Sequence, residues 1–192
     1  MPVTLTTDDC AEAKAMAQLR RMVALSAAFQ AKVDDDYDAC LARVMYEGVP
    51  NDALAESEES TAPSADKPFA SIWLVSTGWR MVAGGSQNHL VPTGMLHLYL
   101  LTPRVEVASE GWNDARLEAV QFLGNWEADI VALFGADDTS AGTKAIVGEG
   151  HLAGTLSDTP SHEHVAKQIR DSAGDFFFRH IAISYGDVAG GA

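Results

Sequence analysis

The sequence lacks the long apolar run that a membrane-spanning helix requires, because no stretch approaches roughly 20 consecutive apolar residues. The N-terminal segment MPVTLTTDD has neither the basic nor the apolar region of a secretory signal peptide. Cysteine is scarce, and Cys10 and Cys40 do not have the spacing of a zinc site. These absences predict a protein with reduced thiols, made in the cytoplasm and without a membrane partner.

Basic residues are also few. The chain of 192 residues has 13 Lys and Arg against 27 Asp and Glu, for a net charge of −14, and Arg20-Arg21 is the only adjacent basic pair. Nucleic-acid binding depends on neutralising phosphates with Lys and Arg. We therefore expect no non-specific binding of DNA. The acidic charge fits ordinary solubility, and it would also fit a surface past which DNA moves without adhering.

Catalytic motifs are missing as well. The glycine-rich segment Gly84–Asn88 matches neither a nucleophile elbow nor a phosphate-binding loop, because it lies between two strands. The cluster His162-Glu163-His164 supplies two metal-ligand types, but the spacing identifies no third ligand. The sequence therefore predicts no enzyme, with no catalytic residues, no cofactor and no metal.

The strongest positive signal is a hairpin. Two runs rich in β-branched and aromatic residues, 69–82 and 89–103, flank the glycine-rich break. Alternation in the first strand predicts one face formed by Phe69, Trp73, Val75, Trp79 and Met81, and the other by Ile72, Leu74 and Val82. In the second strand the leucines 96, 98 and 100 alternate with His97 and Tyr99.

Helical periodicity lies on both sides of this hairpin. Before it, three- and four-residue spacing predicts one helical face from Leu19 to Val33, and a shorter helix is predicted over 37–44. After it, Asn113 or Asp114 can cap a helix that ends at Gly135. Its apolar stripe consists of Ala119, Phe122, Leu123, Trp126, Ile130, Leu133 and Phe134.

A second strand pair, 145–156 and 176–185, closes the chain. The order helix-hairpin-helix-hairpin predicts an α+β fold, in which two main helices pack on one face of a small antiparallel β-sheet. Residues 1–192 form a single domain in this interpretation. Residues 51–66 carry five carboxylates and no basic residue, which predicts an acidic mobile loop. Residues 187–192 are expected to be a flexible C-terminal tail.

One face of the predicted sheet is neither plainly polar nor a core. If the leucines of the second strand face the helices, a mixed aromatic, His and acidic set projects from the opposite face. This set is either a subunit interface or an ordinary solvated face, and the pattern does not separate the two. Its members are His97, Tyr99, Glu149, His151, Phe178 and His180.

Several local phrases, taken with the element order, resemble the tail terminator family of long-tailed bacteriophages, also called tail-completion or tail-to-head joining proteins. The phrases are LRRMVALSAAFQ, ARVMYEGVPND, PFASIWL, PTGMLHLYL and FRHIAISYGD, and they span roughly residues 19–186. The resemblance implies a non-enzymatic structural virion protein, assembled in the host cytoplasm. Such proteins form a ring that is typically a hexamer.

The resemblance also implies partners. The ring caps the tail tube protein, joins a head-completion or neck protein, and lets genomic DNA pass without specific binding. We expect acids to line its lumen, and the candidates are Asp52, Glu56, Glu58, Glu59, Asp137 and Asp138. Two alternatives stay open. One is another neck, head-completion or tail tube protein, and the other is a small cytosolic α+β enzyme or ligand-binding protein.

Overall fold

The structure, a computed structural model, describes residues 11–33, 36–47, 66–84, 87–103, 111–134, 156–157 and 176–186. Within these ranges the structure has four helices, which are α1 (Ala11–Ala24), α2 (Ala27–Gln30), α3 (Tyr37–Ala42) and α4 (Trp112–Phe134). The same ranges contain five strands, which are β1 (Val44–Tyr46), β2 (Phe69–Gly84), β3 (Gln87–Pro103), β4 (Leu156–Ser157) and β5 (Phe176–Gly186). None of the helices in this part of the chain is long and apolar enough to cross a membrane.

The strands form one mixed sheet in the order β1-β2-β3-β5-β4. The pairs β2–β3, β3–β5 and β5–β4 are antiparallel, whereas β1 is parallel to β2. The predicted α+β class is confirmed. The prediction of a purely antiparallel sheet is wrong, because the parallel strand β1 adds an edge that the sequence pattern did not indicate.

The missed strand follows directly from α3. Helix α3 starts at the N-cap Asp36, whose side chain accepts a hydrogen bond from the Asp38 amide. It ends at Ala42 and not at the predicted Val44. Arg43 then fixes the chain beside β2, because its guanidinium donates to the carbonyls of Lys67 and Pro68. Val44 is thereby free to pair with Ala70 as the first residue of β1.

The first predicted helix is broken in two, although its buried face is as expected. Its apolar positions are buried, among them Leu19 and Phe29. The break lies between Ala24 and Ala27, where the Ser26 hydroxyl accepts a hydrogen bond from the Phe29 amide and starts α2. A serine on an apolar stripe can therefore be an internal N-cap, which hydrophobic periodicity does not distinguish from a continuous helix.

The hairpin β2–β3 is confirmed and runs in register from Phe69 opposite Leu101 to Gly84 opposite Gln87. A β-bulge between Leu74 and Ser76 shifts the alternation by one residue. Trp79 therefore pairs with Pro92 on the helix side of the sheet. The prediction that Trp79 shares a face with Phe69 and Trp73 is wrong, because strict alternation cannot anticipate a bulge.

The end of the chain agrees with part of the prediction. Helix α4 is confirmed, and β5 places Ile181 and Ile183 on the helix side with Phe178 and His180 opposite. Strand β4 has only two described residues, Leu156 and Ser157, and pairs antiparallel with β5. The rest of the predicted strand 145–156 lies outside the described residues. The predicted order helix-hairpin-helix-hairpin is therefore incomplete, because β1 lies between α3 and the hairpin β2–β3.

Side chains on the two faces of the sheet form two separate clusters. All four helices contribute to the larger cluster, which packs on the leucines of β3 and the isoleucines of β5. Its largest members include Trp126, Phe29 and Leu19, all fully buried. The smaller cluster lies on the opposite face and centres on Phe69, Tyr99 and Leu101. The helices therefore cover one face of the sheet, and aromatic residues dominate the other.

Candidate interaction surfaces

Four of the six residues predicted for a subunit interface lie together on the sheet face opposite the helices. Tyr99 is the register partner of His180, and Leu101 is that of Phe178. The His97 and His180 rings have centroids 4.5 Å apart, and the His180 ring stacks on Tyr99 at 4.7 Å. The other two predicted members, Glu149 and His151, lie outside the described residues.

This aromatic and histidine set is more buried than a solvated face. His97 and Tyr99 have no exposed surface, whereas Phe178 and His180 are half-buried. A neighbouring subunit would therefore meet Phe178 and His180 first. Whether this face contacts a subunit stays a prediction.

Tyr99 has the most unusual environment on this face. Its hydroxyl is buried and has no hydrogen-bond partner among the described residues. Burial raises the pKa of Tyr99 to about 12, because removal from solvent disfavours the charged phenolate. Tyr99 is therefore a neutral phenol at physiological pH, which suits a packing role better than proton transfer. Within the described ranges, no group of three or more His, Cys, Asp or Glu is placed to hold a metal ion.

A second surface is the outer end of the hairpin. The last register pair between β3 and β5 is Thr93 with Gly186, and beyond it β2 and β3 pair only with each other within the described residues. We call this part, Trp79–Gly84 with Gln87–Pro92, the arm. The Trp79 side chain is 70% exposed. Trp79 has the highest exposed fraction among the exposed large hydrophobic residues of the described ranges.

The hairpin also differs from the rest of the chain in charge. None of the 27 acidic residues lies between Phe69 and Pro103, and Arg80 is the only Lys or Arg in that range. All of the negative charge of the molecule is therefore carried outside the hairpin. A like-charged copy of this protein would be repelled by most of the molecule, but not by the arm.

A third surface is the outward face of α4. Leu117, Val120 and Val131 are 63%, 52% and 37% exposed, respectively. Gly124 and Ala128 lie between them on the same side of the helix, because these five positions recur every three or four residues. No charged residue lies on this line. We call these five residues the α4 stripe.

The opposite side of α4 is fixed to the body, which makes the stripe point outward. Trp126 stacks on Phe29 with ring centroids 4.0 Å apart. The Asp129 carboxylate accepts hydrogen bonds from the Ser26 hydroxyl at 2.8 Å and from the Ala28 amide at 3.0 Å. This carboxylate therefore caps the first turn of α2 from a different helix.

Ion pairs secure both flanks of α4. Lys32 lies 3.2 Å from Glu118, and Arg179 of β5 contacts Glu127. The exposed Lys32–Glu118 pair contributes little to stability. In both pairs, however, opposite charges beside the stripe neutralise each other. The stripe is therefore presented as an uncharged ridge on a well-anchored helix.

A cleft lies at the N-terminal half of α4, with an accessible volume of about 230 Å³. Phe122, Phe177 and Pro103 supply apolar walls, and Lys32 and Glu118 lie at its rim. The volume is below the range that small-molecule sites usually have. Lys32 pairs with Glu118, and Asp66 and Lys67 also line the cleft.

The predicted lumen acids all lie outside the described residues, as do residues 51–65 of the predicted loop, the tail 187–192 and the cluster 162–164. Sequence reasoning missed the arm and the α4 stripe as surfaces. The absence of acids from 69 to 103 was a usable signal for the first. For the second, the signal was the uncharged line from Leu117 to Val131 on the far side of the predicted apolar stripe.

Comparison with protein-family models, with curated proteins and with solved structures finds no match to this chain.

Proposed function

We propose that this protein is a structural subunit of a long-tailed bacteriophage virion: the tail terminator, a ring that caps the tail tube and joins it to the head or neck. The observation that supports this most is the pair of uncovered surfaces, an acid-free arm with the exposed Trp79 and an uncharged stripe on α4. Soluble monomers rarely expose such apolar surfaces without a partner.

The α+β architecture and the local phrases of the sequence are consistent with this assignment. The five phrases that resemble the family fall on α1 and α2, β1, β2, β3 and β5, which together build the sheet and its helical cover. The resemblance therefore lies mainly in the core of the fold. A structural ring is also consistent with a buried, neutral Tyr99.

Charge supports a ring through which DNA passes. Phosphates bind wherever Lys and Arg cluster, and each such contact would have to break as the genome moves. The candidate lumen acids form two groups along the chain. The first is Asp52, Glu56, Glu58 and Glu59, and the second is Asp137 and Asp138. A carboxylate-lined channel would repel the strand along its length. This stays a prediction, because those residues lie outside the described ranges.

Deletion of the gene in its phage or prophage tests the function directly. If the protein caps and joins the tail, lysates of the deletion should contain DNA-filled heads and separate tails, with few complete particles. Expression of the chain in trans should restore joined virions. Electron microscopy and plaque counts give the two readouts, and expression of an unrelated protein in trans serves as the negative control.

The same deletion separates the alternatives. A tail tube subunit would leave heads without any tails, and a head-completion protein would leave intact tails beside heads that lose DNA. A cytosolic enzyme or ligand-binding protein would leave normal virions. Normal particle yield and morphology would contradict the whole virion assignment.

A further inference from the structure

We propose that the arm of one copy docks on the α4 stripe of a second copy, with Trp79 against Leu117 and Val120. This inference rests on the proposed ring, and it deepens that proposal by naming the two surfaces that would form each subunit contact.

Exposure is the first argument. Trp79 is 70% exposed, so its own chain does not cover it, and Leu117 and Val120 are more than half exposed. Neither surface is covered by the described part of its own chain. Tryptophan is the residue type most enriched at the centres of protein interfaces. Gly124 and Ala128 carry the smallest side chains of the stripe, and the Arg179 guanidinium lies close to Gly124.

Charge is the second argument, because it allows the partner to be another copy of this acidic chain. Two molecules of net charge −14 repel each other, so a contact forms most easily where one side carries no carboxylate. The arm meets this condition and contributes Arg80. On the α4 side, Asp114 is exposed one helical turn before Leu117. In this docking, an arm whose one charged residue is Arg80 contacts an uncharged stripe that begins near Asp114.

Geometry is the third argument. The arm and the α4 stripe are different surfaces, so a contact between them is heterologous. When one copy uses its arm, its own stripe remains free for the arm of the next copy. Such contacts add subunits until the rotation closes a ring. The β-bulge before Ser76 aims Trp79 at the helix side of the sheet, which is the side where the neighbour's α4 must approach.

Substitution of the two surfaces tests the contact. Trp79→Ser and the double variant Leu117→Ser with Val120→Ser should each weaken self-association at least tenfold in sedimentation velocity or mass photometry. Tyr46→Ser is the matched control, because Tyr46 is a 44% exposed aromatic residue outside both surfaces. It should associate like the wild type. Far-ultraviolet circular dichroism confirms that every variant is folded.

Cross-linking tests which surfaces meet. In a Cys10→Ser background, Thr77→Cys and Val120→Cys are prepared separately, since Thr77 is exposed just before the arm and the remaining Cys40 is buried. An equimolar mixture should form disulfide-linked dimers containing one of each. Either variant alone should form few. Dimers of Thr77→Cys with itself would overturn the docking, because they show arm-to-arm contact.

The outcomes separate this inference from the proposed function. Wild-type rings that survive Trp79→Ser unchanged overturn the docking but leave the terminator assignment intact. A wild type that stays monomeric at all concentrations, and in purified particles, overturns both. Loss of self-association with both surface variants, together with the mixed disulfide, supports the docking whichever virion ring the protein forms.

Discussion

The described side chains at the two ends of one hairpin differ in exposure, although neither end carries an acidic residue. At the base, Phe69–Leu74 pairs with residues 96–101, and most of these side chains are buried. In the arm, the same two strands continue, and the Trp79 side chain is largely exposed. The base is covered because α1, α4 and β5 pack on it. Apolar strand sequence therefore identifies a surface to be covered, and neighbouring elements decide whether its own chain covers it.

The comparison teaches where the stability of the protein lies. The base holds the core and should set the free energy of unfolding. The arm should contribute to association and little to folding. Each prediction below changes one side of this division.

The largest effect is expected at the centre of the body. Trp126 is fully buried, stacks on Phe29 and donates from its indole nitrogen to the Val23 carbonyl at 3.4 Å. Trp126→Ala should lower the free energy of unfolding by about 3–5 kcal/mol, because it leaves a large cavity. Chemical denaturation measures this. Leu117→Ala on the exposed side of α4 is the control, and an equal loss there would contradict the described orientation of the helix.

The junction between base and arm should tolerate no side chain at Gly94. A Cβ added there would overlap the Ser76 carbonyl oxygen and the ring of Tyr185. Gly94→Ala should cost about 1–3 kcal/mol through forced displacement of packed atoms. Gly78→Ala is a matched control in the same hairpin, since its added Cβ would meet nothing closer than 3.9 Å. Equal melting temperatures for the two variants would show that Tyr185 does not lie over Gly94.

The cap that α4 provides to α2 should have a moderate effect. Asp129→Ala removes the acceptor for the Ser26 hydroxyl and the Ala28 amide, so we expect a loss of about 1 kcal/mol. Asp129→Asn keeps one acceptor oxygen and should lose less. Hydrogen exchange at Ala28 reports the cap directly. Unchanged exchange in Asp129→Ala would show that this carboxylate does not hold α2.

Tyr99 should affect stability only at alkaline pH. Its pKa is raised to about 12 in the folded protein from an ordinary value of 10. The unfolded chain therefore loses this proton first, and the stabilising contribution, complete below pH 10, is lost as pH rises towards 12. Tyr99→Phe should be nearly neutral at pH 7 and should remove this alkaline loss. Tyr46→Phe should retain it, and identical alkaline unfolding of all three proteins would contradict the buried hydroxyl.

The smallest effect on folding is expected in the arm. Trp79→Ala removes little buried area, so the free energy of unfolding should change by no more than about 0.5 kcal/mol. The melting temperature should therefore change little. Differential scanning calorimetry at a concentration where the protein is monomeric measures this. A loss as large as that of Trp126→Ala would mean that the arm folds back on the body.

Much of the fold follows from local sequence. Periodicity predicted the strand alternation around His97 and Tyr99 and the buried apolar face of α4. It also predicted that the two faces of the sheet carry different side chains. The break at Ser26 and the bulge at Val75 were not, because each depends on a hydrogen bond or register shift made with another element. Strand β1 was missed because three residues carry too little pattern. Its position depends on Arg43 reaching the carbonyls of residues 67 and 68.

The candidate surfaces were less predictable than the fold. Sequence alternation correctly grouped Tyr99 with His180, but alternation reports which side chains share a face and not what covers that face. The exposure of Trp79 depends on how other elements pack on the hairpin, which is a tertiary property. The composition nevertheless contained one signal of a candidate surface. The hairpin has no acidic residue, although the chain as a whole is acidic.

The terminator proposal is tested most directly by cryo-electron microscopy of the tail-to-head joint in purified virions. The account predicts a ring of this chain, six copies most simply, between the tail tube and the neck, with each arm on the α4 of its neighbour. Absence of the chain from the particle, or its presence as an isolated single copy, would contradict it.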